Sequence, residues 1–172
     1  MLQPDDSIVR PLTAIDLAAV ERIQAAAYPH YPCERIEVFA DKLAHYPAGC
    51  WAFEVDGVMG GYLFSHPSLE AEPPEFDALL RDLPLVPDCY FIHDKSVAPE
   101  LRGRGAGRRL LDAAIAHAAA LRLAVITLVS VQGSRGYWER FGFKAVAETE
   151  PSLAAVRRTY GPQAHYMMRR RA

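Results

Sequence analysis

Three glycines and four arginines fall within eight residues, "RGRGAGRR" from Arg102 to Arg109, and an apolar run follows at once. Glycine inside a helix weakens it, so Gly103, Gly105 and Gly107 are expected where the backbone turns sharply or comes close to another group. The arginines make that group an anion, because a guanidinium adds charge-assisted bonds to phosphate or carboxylate. The first N–H groups of a helix lack partners within it, and the helix dipole places positive charge there. A strand, a glycine turn and a helix start therefore form a phosphate site, here one suited to a pyrophosphate with Arg102, Arg104, Arg108 and Arg109 around it. A turn that merely joins strand to helix is the competing reading.

The spacing excludes two common phosphate loops. No GxxxxGK followed by Ser or Thr occurs, and the GxGxxG dinucleotide pattern fails because position 108 is arginine.

A second set of residues could do acid–base work. "CYFIHDKSVAP" reads as a strand that leads into the glycine turn and carries His93 and Asp94. Histidine titrates near neutrality, which suits a general base, although a hydrogen-bonded core histidine fits equally well. Strand alternation sends Asp94 to the opposite face, where it could orient another group. Downstream, "SRGYWERFGF" offers Ser134 and Tyr137 on a short helix and turn.

The remaining elements must hold these segments in place. "SIVRPLTAIDLAAVERIQAAAY" predicts a strand, a turn and a helix, with Thr13 as N-cap, Asp16 in the first turn, and Ile15, Ala18, Ala19 and Ile23 at helical spacing. "RIEVFADKLAHY" predicts a second helix after the Pro-broken loop "YPHYPCE". "CWAFEVDGVMGGYLFSH" predicts a hairpin around Asp56-Gly57. Residues 67–88 are acidic and Pro-rich, with a short amphipathic piece at "FDALL", and read as an insertion or long surface loop. After the glycine turn, Leu110, Leu111, Ala114, Ile115, Ala118 and Leu121 make an apolar helical stripe. "LAVITLVSV" reads as a buried central strand, and "KAVAETE" and "AHYMMRR" as two more strands. The expectation is one α/β domain (α+β), residues 1–172, with a mixed sheet flanked by helices.

Composition narrows the function classes. The chain has 172 residues, enough for one domain, and 51% hydrophobic residues, enough for a core. A net charge of −2 argues against a surface built for nucleic acid. An RGG-like nucleic-acid segment is further disfavoured by the apolar helix and the lack of interleaved aromatics. Three scattered cysteines without a CxxC argue against a disulfide framework or a zinc site, so no metal is expected. The polar, acidic start is no signal peptide, and no apolar run is long enough to span a bilayer. A soluble, cytoplasmic protein without a membrane or nucleic-acid partner is expected.

Arg102-Gly103-Arg104-Gly105-Ala106-Gly107 resembles the (Arg/Gln)-x-x-Gly-x-(Gly/Ala) turn of the GNAT superfamily of acetyl-CoA-dependent acyltransferases. "SVAP" and "RRLLDAA" match its context, and "IVRPLTAIDLAAV", "VDGVMGGYL", "YWERFGF" and "HYMMRR" follow the family's order over nearly all the chain. The resemblance implies a splayed mixed sheet that takes acetyl-CoA as acyl donor. The N–H groups from Arg104 to Gly107 would hold the pyrophosphate, and the backbone of Ser96 and Val97 would pair with the pantetheine arm. The basic cluster would extend to the 3′-phosphate.

Acetyl transfer to an amine needs a proton acceptor for the amine, N–H donors for the oxyanion, and a proton source for the departing thiolate. His93 stands where the family often carries a catalytic glutamate. Trp138 occupies the family's usual tyrosine position, and an indole N–H does not supply a proton at useful pH. Val131 replaces a common asparagine. That leaves Tyr137, reached by a shifted helix, or water as the acid, and Ser134 as a hydroxyl near the sulfur. The expected reaction is direct attack of a small-molecule amine on the thioester. The acidic insertion (Glu70, Glu72, Glu75, Asp77, Asp82) would attract the amine, and Tyr28, His30, Tyr31 and Glu34 would recognise it. The alternatives are an acyl-CoA sensor without efficient turnover and a protein or peptide N-acetyltransferase. A homodimer is left open.

Overall fold

The computed structural model describes residues 6–147 and 151–171, and they build one seven-stranded open sheet. In chain order the elements are β1 (Ser7–Pro11), α1 (Leu17–Ala27), α2 (Ile36–His45), β2 (Cys50–Val55), β3 (Val58–Ser68), β4 (Cys89–Val97), α3 (Ala106–Ala120), β5 (Val125–Ser130), α4 (Arg135–Glu139), β6 (Lys144–Ala145), α5 (Pro151–Thr159) and β7 (His165–Arg170). The spatial order is β1-β2-β3-β4-β5-β7-β6. Every neighbouring pair is antiparallel except β4 and β5. This is the expected α/β class with a mixed sheet.

Local sequence accounts for most elements. Asp56 and Gly57 both take positive φ, 50° and 79°, the conformation that closes a two-residue hairpin between β2 and β3. Thr13 and Asp16 start the first helical segment as expected: the Thr13 N–H donates to the Asp16 carboxylate at 2.8 Å, and Arg10 grips the same carboxylate at 2.8 Å. The buried face of α1 is only partly the expected one: Ile23 is buried and Ala19 packs against the core, as read. Val20, Ile23 and Gln24 face the sheet, whereas Ile15 is 92% exposed and Ala18 also faces water. A 3₁₀ turn over Ala14–Asp16 precedes the α-helix and rotates the register. In α3 the stripe buries Leu110, Leu111, Ala114 and Ala118, but Leu121 falls past the helix end and is exposed.

Two other expectations change. The strand expected at "KAVAETE" is only Lys144–Ala145, and residues 148–150 lie outside the described residues. "FDALL" forms a turn at Phe76–Asp77 followed by irregular chain, within the long loop expected there. Helix α5 was not anticipated, although Pro151 at its first position is a helix-start signal.

The sheet separates two apolar layers. On one side α3 and α4 pack over Leu63, Tyr90, Ile92, Ile126 and Leu128. On the other, α1 and α2 pack over Ala52, Tyr62 and Phe64. Beyond these, Phe91 and Tyr166 pack with Leu153 of α5. β4 pairs along its whole length with Gly61–Ser68 of β3, except for one break: Phe64 faces Asp94 while Ser65 faces Ile92, so His93 is a bulged residue with no opposite number.

Gly49 braces the chain beside that break. Its carbonyl accepts from Ser65 Oγ at 2.9 Å, and Ser65 Oγ in turn accepts from the Tyr90 hydroxyl at 2.9 Å. A Cβ on Gly49 would lie 1.9 Å from the Ser65 carbonyl oxygen, so the two backbone segments could not approach. Gly49→Ala should cost about 3 kcal/mol as an overpacking change. That is roughly 6–12 °C off the melting temperature of a chain this size, checked by thermal denaturation.

Candidate active site

The site begins where two strands part. β4 and β5 are parallel partners only over Tyr90–Ile92 and Ile126–Leu128. Past Ile92, β4 follows β3 while β5 follows β7, and a wedge opens between His93–Val97 and Val129–Ser130. The wedge exposes a polar backbone edge. The Ala98 N–H donates to the Gly60 carbonyl at 2.8 Å, so Ala98 and Gly60 form a hydrogen-bonded pair. In an antiparallel ladder such pairs alternate. Ser96, opposite Tyr62, therefore spends its N–H and C=O on β3, and Lys95 and Val97 turn theirs into the wedge. This corrects the expectation for Ser96: Lys95 takes its place beside Val97 on the open edge. The Tyr28 hydroxyl already reaches the Lys95 carbonyl, at 3.3 Å.

The open edge leads into the glycine turn. Gly103 and Gly105 hold φ at 77° and 84°, which L side chains rarely adopt, and Gly105 is the N-cap of α3. A Cβ at either would meet nothing within 4 Å, so the turn is an open cradle. The Arg104 N–H donates to the Leu101 carbonyl at 3.3 Å, which removes it from the expected set. The first α3 bond runs from the Arg109 N–H to Gly105, leaving the N–H groups of Ala106, Gly107 and Arg108 as the unpartnered first turn. Gly107 is glycine for another reason: a Cβ there would sit 2.9 Å from the Tyr137 hydroxyl and 3.2 Å from Lys95 Nζ.

The four arginines divide. Arg109 is tied to β1, donating to Ser7 Oγ at 2.6 Å and to the Ser7 carbonyl at 2.9 Å, and is spent on the fold. Arg102 donates to the Ala27 carbonyl at 3.2 Å. Arg108 pairs with Asp112 at 3.0 Å, an exposed i,i+4 pair of little strength that another anion could replace. Arg104 is exposed at the cradle's rim. A cradle of glycines, three helix-start donors and exposed guanidiniums fit a pyrophosphate.

At the wedge's other end lies a small cavity of about 60 Å³. Three consecutive ionisable residues of β4 line it, and the bulge decides where each points. His93 and Asp94 both face the α1/α2 side, contrary to simple alternation. The His93 ring lies 6.2 Å from that of Phe39, and Asp94 accepts from Tyr62, a member of the same apolar layer, at 2.7 Å. Lys95 goes to the α3/α4 side.

His93 is fully buried, and its Nε2 meets the Glu34 carboxylate at 2.9 Å. Burial lowers His93 below the ordinary imidazole range, and Glu34 only partly offsets this. Burial would raise Glu34, but His93 and Lys42 outweigh it and the carboxyl sits below its ordinary value. Lys42, buried on α2, donates to the Ala78 carbonyl at 2.8 Å. A neutral imidazole beside an ionised carboxylate carries its proton on Nε2. His93 Nδ1 then keeps its lone pair, buried and with no hydrogen-bond partner among the described residues.

Asp94 differs. Burial and the nearby Glu34 charge raise it to about 7, although Tyr62 and Tyr28 donate to it. Burial pulls Lys95 down to about 7, with Asp94 partly opposing.

Across the wedge, Ser134 lines the cavity at the head of α4. Trp138 also lines it but is buried in the core against Phe143, as aromatic packing would have it. Tyr137 does not line the cavity. Its hydroxyl hydrogen-bonds Lys95 Nζ and abuts Gly107. Tyr28, Tyr31 and Glu34 line the mouth, whereas His30 is exposed outside it.

The acidic segment acts as a strap. Asp77 donates its N–H to Glu34 at 2.9 Å and binds Arg35 at 2.6 Å, and Glu70 pairs with Arg170 at 3.1 Å. These carboxylates are committed to the protein. What the strap brings to the cavity is Phe76, seated between Tyr31 and Tyr160. Sequence reasoning passed over Lys95, Lys42, Tyr62, Phe76 and Tyr160. Lys95 alone carried a local signal, an ammonium in an otherwise buried strand.

The profile of the acetyltransferase (GNAT) family matches residues 17–143. No curated protein matches the chain in sequence. Among solved structures, Ard1 from Thermoplasma volcanium superposes with a TM-score of 0.70 at 15% identity, over 96% of this chain and 98% of that one. The ribosomal-protein-S18-alanine N-acetyltransferase of Escherichia coli gives 0.67 at 18%, over 95% and 93%. N-acetylglutamate synthase from Neisseria gonorrhoeae, complexed with coenzyme A and N-acetyl-glutamate, gives 0.74 at 18%, over 99% of this chain and 36% of that one. At such identities these likenesses establish the fold.

The Asp94 environment is directly testable. The Tyr62 hydroxyl favours the ionised carboxylate, so Tyr62→Phe should move the Asp94 midpoint above 7. Carbon NMR of the labelled carboxyl reads this, and a downward shift would contradict the assignment.

Proposed function

The chain belongs to the GNAT family of acetyltransferases, and on that premise we propose that it transfers an acetyl group from acetyl-CoA to the amine of a small molecule by direct attack. One observation carries the reading: an open anion cradle and an open strand edge form one continuous path that ends at His93, a buried imidazole oriented by Glu34. Coenzyme A in the related fold of the Neisseria enzyme supports the donor.

In this reading the N–H groups of Ala106, Gly107 and Arg108 hold the pyrophosphate, with Arg104 and Arg108 beside them. The backbone of Lys95 and Val97 receives the pantetheine arm as an added strand. When bound, acetyl-CoA supplies the activated acetyl thioester. Tyr28, Tyr31, Phe76 and Tyr160 surround the acceptor, and Glu34 and Asp94 give their enclosure negative character. His93 Nδ1 takes the proton of the attacking amine, and Glu34 stabilises the imidazolium through Nε2. Ser134 offers a hydroxyl on the opposite wall. A cavity of about 60 Å³ beneath a strap hydrogen-bonded to Glu34 favours a compact amine over a peptide.

His93→Ala should lower kcat by about 10²-fold or more while leaving the Kd for acetyl-CoA within about twofold. Because burial lowers His93, the parent's acidic limb should lie below the usual imidazole value of about 6.5, with activity rising as His93 loses its proton. A limb near 7 that disappears in Asp94→Asn would move the base to Asp94. Acetyl-CoA binding without thiol release across an amine panel would favour the sensor instead.

A further inference from the structure

We propose that Lys95 is the general acid, giving a proton to the departing sulfur from the position that a tyrosine at 138 would otherwise serve. The proposal rests on the acetyl-transfer reading above.

The placement carries it. Lys95 Nζ lies where three parts of the site meet: the open edge of β4, the first turn of α3, and α4. It is 3.4 Å from the Gly107 carbonyl, 4.5 Å from the Trp138 ring centroid and 4.1 Å from that of Tyr137, and it hydrogen-bonds the Tyr137 hydroxyl. Lys95 also lines the acceptor cavity, as Trp138 and Ser134 do. The ammonium therefore stands between the cradle that fits a pyrophosphate and the cavity that would hold the amine. An acyl thioester stretched between the two must pass it.

A purely structural role explains this lysine poorly. Among the described residues Lys95 forms no salt bridge, so its ammonium is buried against aromatic faces with one hydroxyl and the Gly107 carbonyl as its hydrogen-bond partners. Burying a charge this way is costly, and a methionine or leucine would fill the same space without that cost. The charged and titratable groups around it are Asp94 on its own strand, Tyr137 on α4, Arg140 just past the end of α4, and Arg108 on α3. Arg140 and Arg108 stack on the neighbouring Tyr137 and Phe141 rings. The lowered proton affinity that follows from burial suits an acid working near neutral pH.

The proton balance closes. The amine nitrogen forms a bond to the carbonyl carbon, and its proton goes to His93 Nδ1. The carbon–sulfur bond breaks with its electron pair on sulfur, and Lys95 Nζ supplies the proton that makes the thiol. His93 returns its proton to solvent and Lys95 regains one, so the enzyme is unchanged.

Two measurements test this. Competitive acetylation of the protein by acetic anhydride without acetyl-CoA, read by peptide mass spectrometry, reports the Lys95 midpoint. The expected value is about 7, and ordinary lysine reactivity near ~10.4 would overturn the proposal. In kinetics, Lys95→Met should lower kcat by about 10²-fold, remove the alkaline limb of the pH profile and leave the Kd for acetyl-CoA within a few-fold. Lys95→Arg keeps the charge but not a releasable proton, so it should fail alike. Normal turnover by Lys95→Met beside an active parent would overturn this assignment alone. An inactive parent would overturn the acetyl-transfer reading and this proposal with it.

Discussion

Three ionisable residues in a row on a buried strand set the terms for this fold. A central strand with simple alternation would throw His93 and Lys95 to one face and Asp94 to the other. The bulge at His93 breaks that rule, sending His93 and Asp94 toward α1 and α2 and leaving Lys95 alone on the α3 side. His93 and Asp94 then find the hydrogen-bond partners that buried polar groups need, while Lys95 is left without a counter-ion among the described residues. The same irregularity swings β4 away from β5, and the parallel pairing stops after three residues. Charge accommodation and the opening of the wedge are thus one structural event.

The surrounding elements follow from supplying those partners. The loop between α1 and α2 brings Tyr28, Tyr31 and Glu34 over the strand. Lys42 on α2 balances Glu34 from behind, and its own hydrogen bond to Ala78 fastens the strap. The strap returns the favour through the Asp77 N–H, which reaches the Glu34 carboxylate. Tyr160, at the end of α5, bonds the Pro74 carbonyl and closes the ring of aromatics. On the other face, Gly107 lets the first turn of α3 come up against Tyr137 and Lys95. The anion cradle and the ionisable cluster are therefore in mechanical contact, not merely on the same strand.

Much of this was legible because it is local. The Asp56-Gly57 hairpin, the glycine turn ahead of α3 and the buried run of β5 are each encoded within a few residues. The glycines at 103 and 105 reflect backbone conformation, as read. What could not be read depends on distant pairing. The bulge exists only because β3 meets β4 some 30 residues away, so local alternation gave the wrong face for Asp94, and the edge position that the resemblance implied for Ser96 falls to Lys95. The first part of the α1 stripe missed because a 3₁₀ turn precedes the helix, so Ile15 and Ala18 face solvent while Ala19 and Ile23 pack as read. Arg109 looked like an anion ligand until β1 came beside it. In the acidic segment, which read as a charged surface, Asp77 and Glu70 are tied to Arg35 and Arg170, while Glu72, Glu75 and Asp82 are exposed as read.

The central claim is that the cradle and the open β4 edge together receive a coenzyme A thioester. Calorimetric titration with acetyl-CoA tests it most directly, with Arg104→Glu as the comparison, since Arg104 is exposed and its backbone is unstrained. The account predicts saturable one-to-one binding by the parent and binding about tenfold weaker or worse in the variant, from charge reversal at the pyrophosphate, with both proteins melting alike. No binding by the parent, or equal binding by the two, would contradict it.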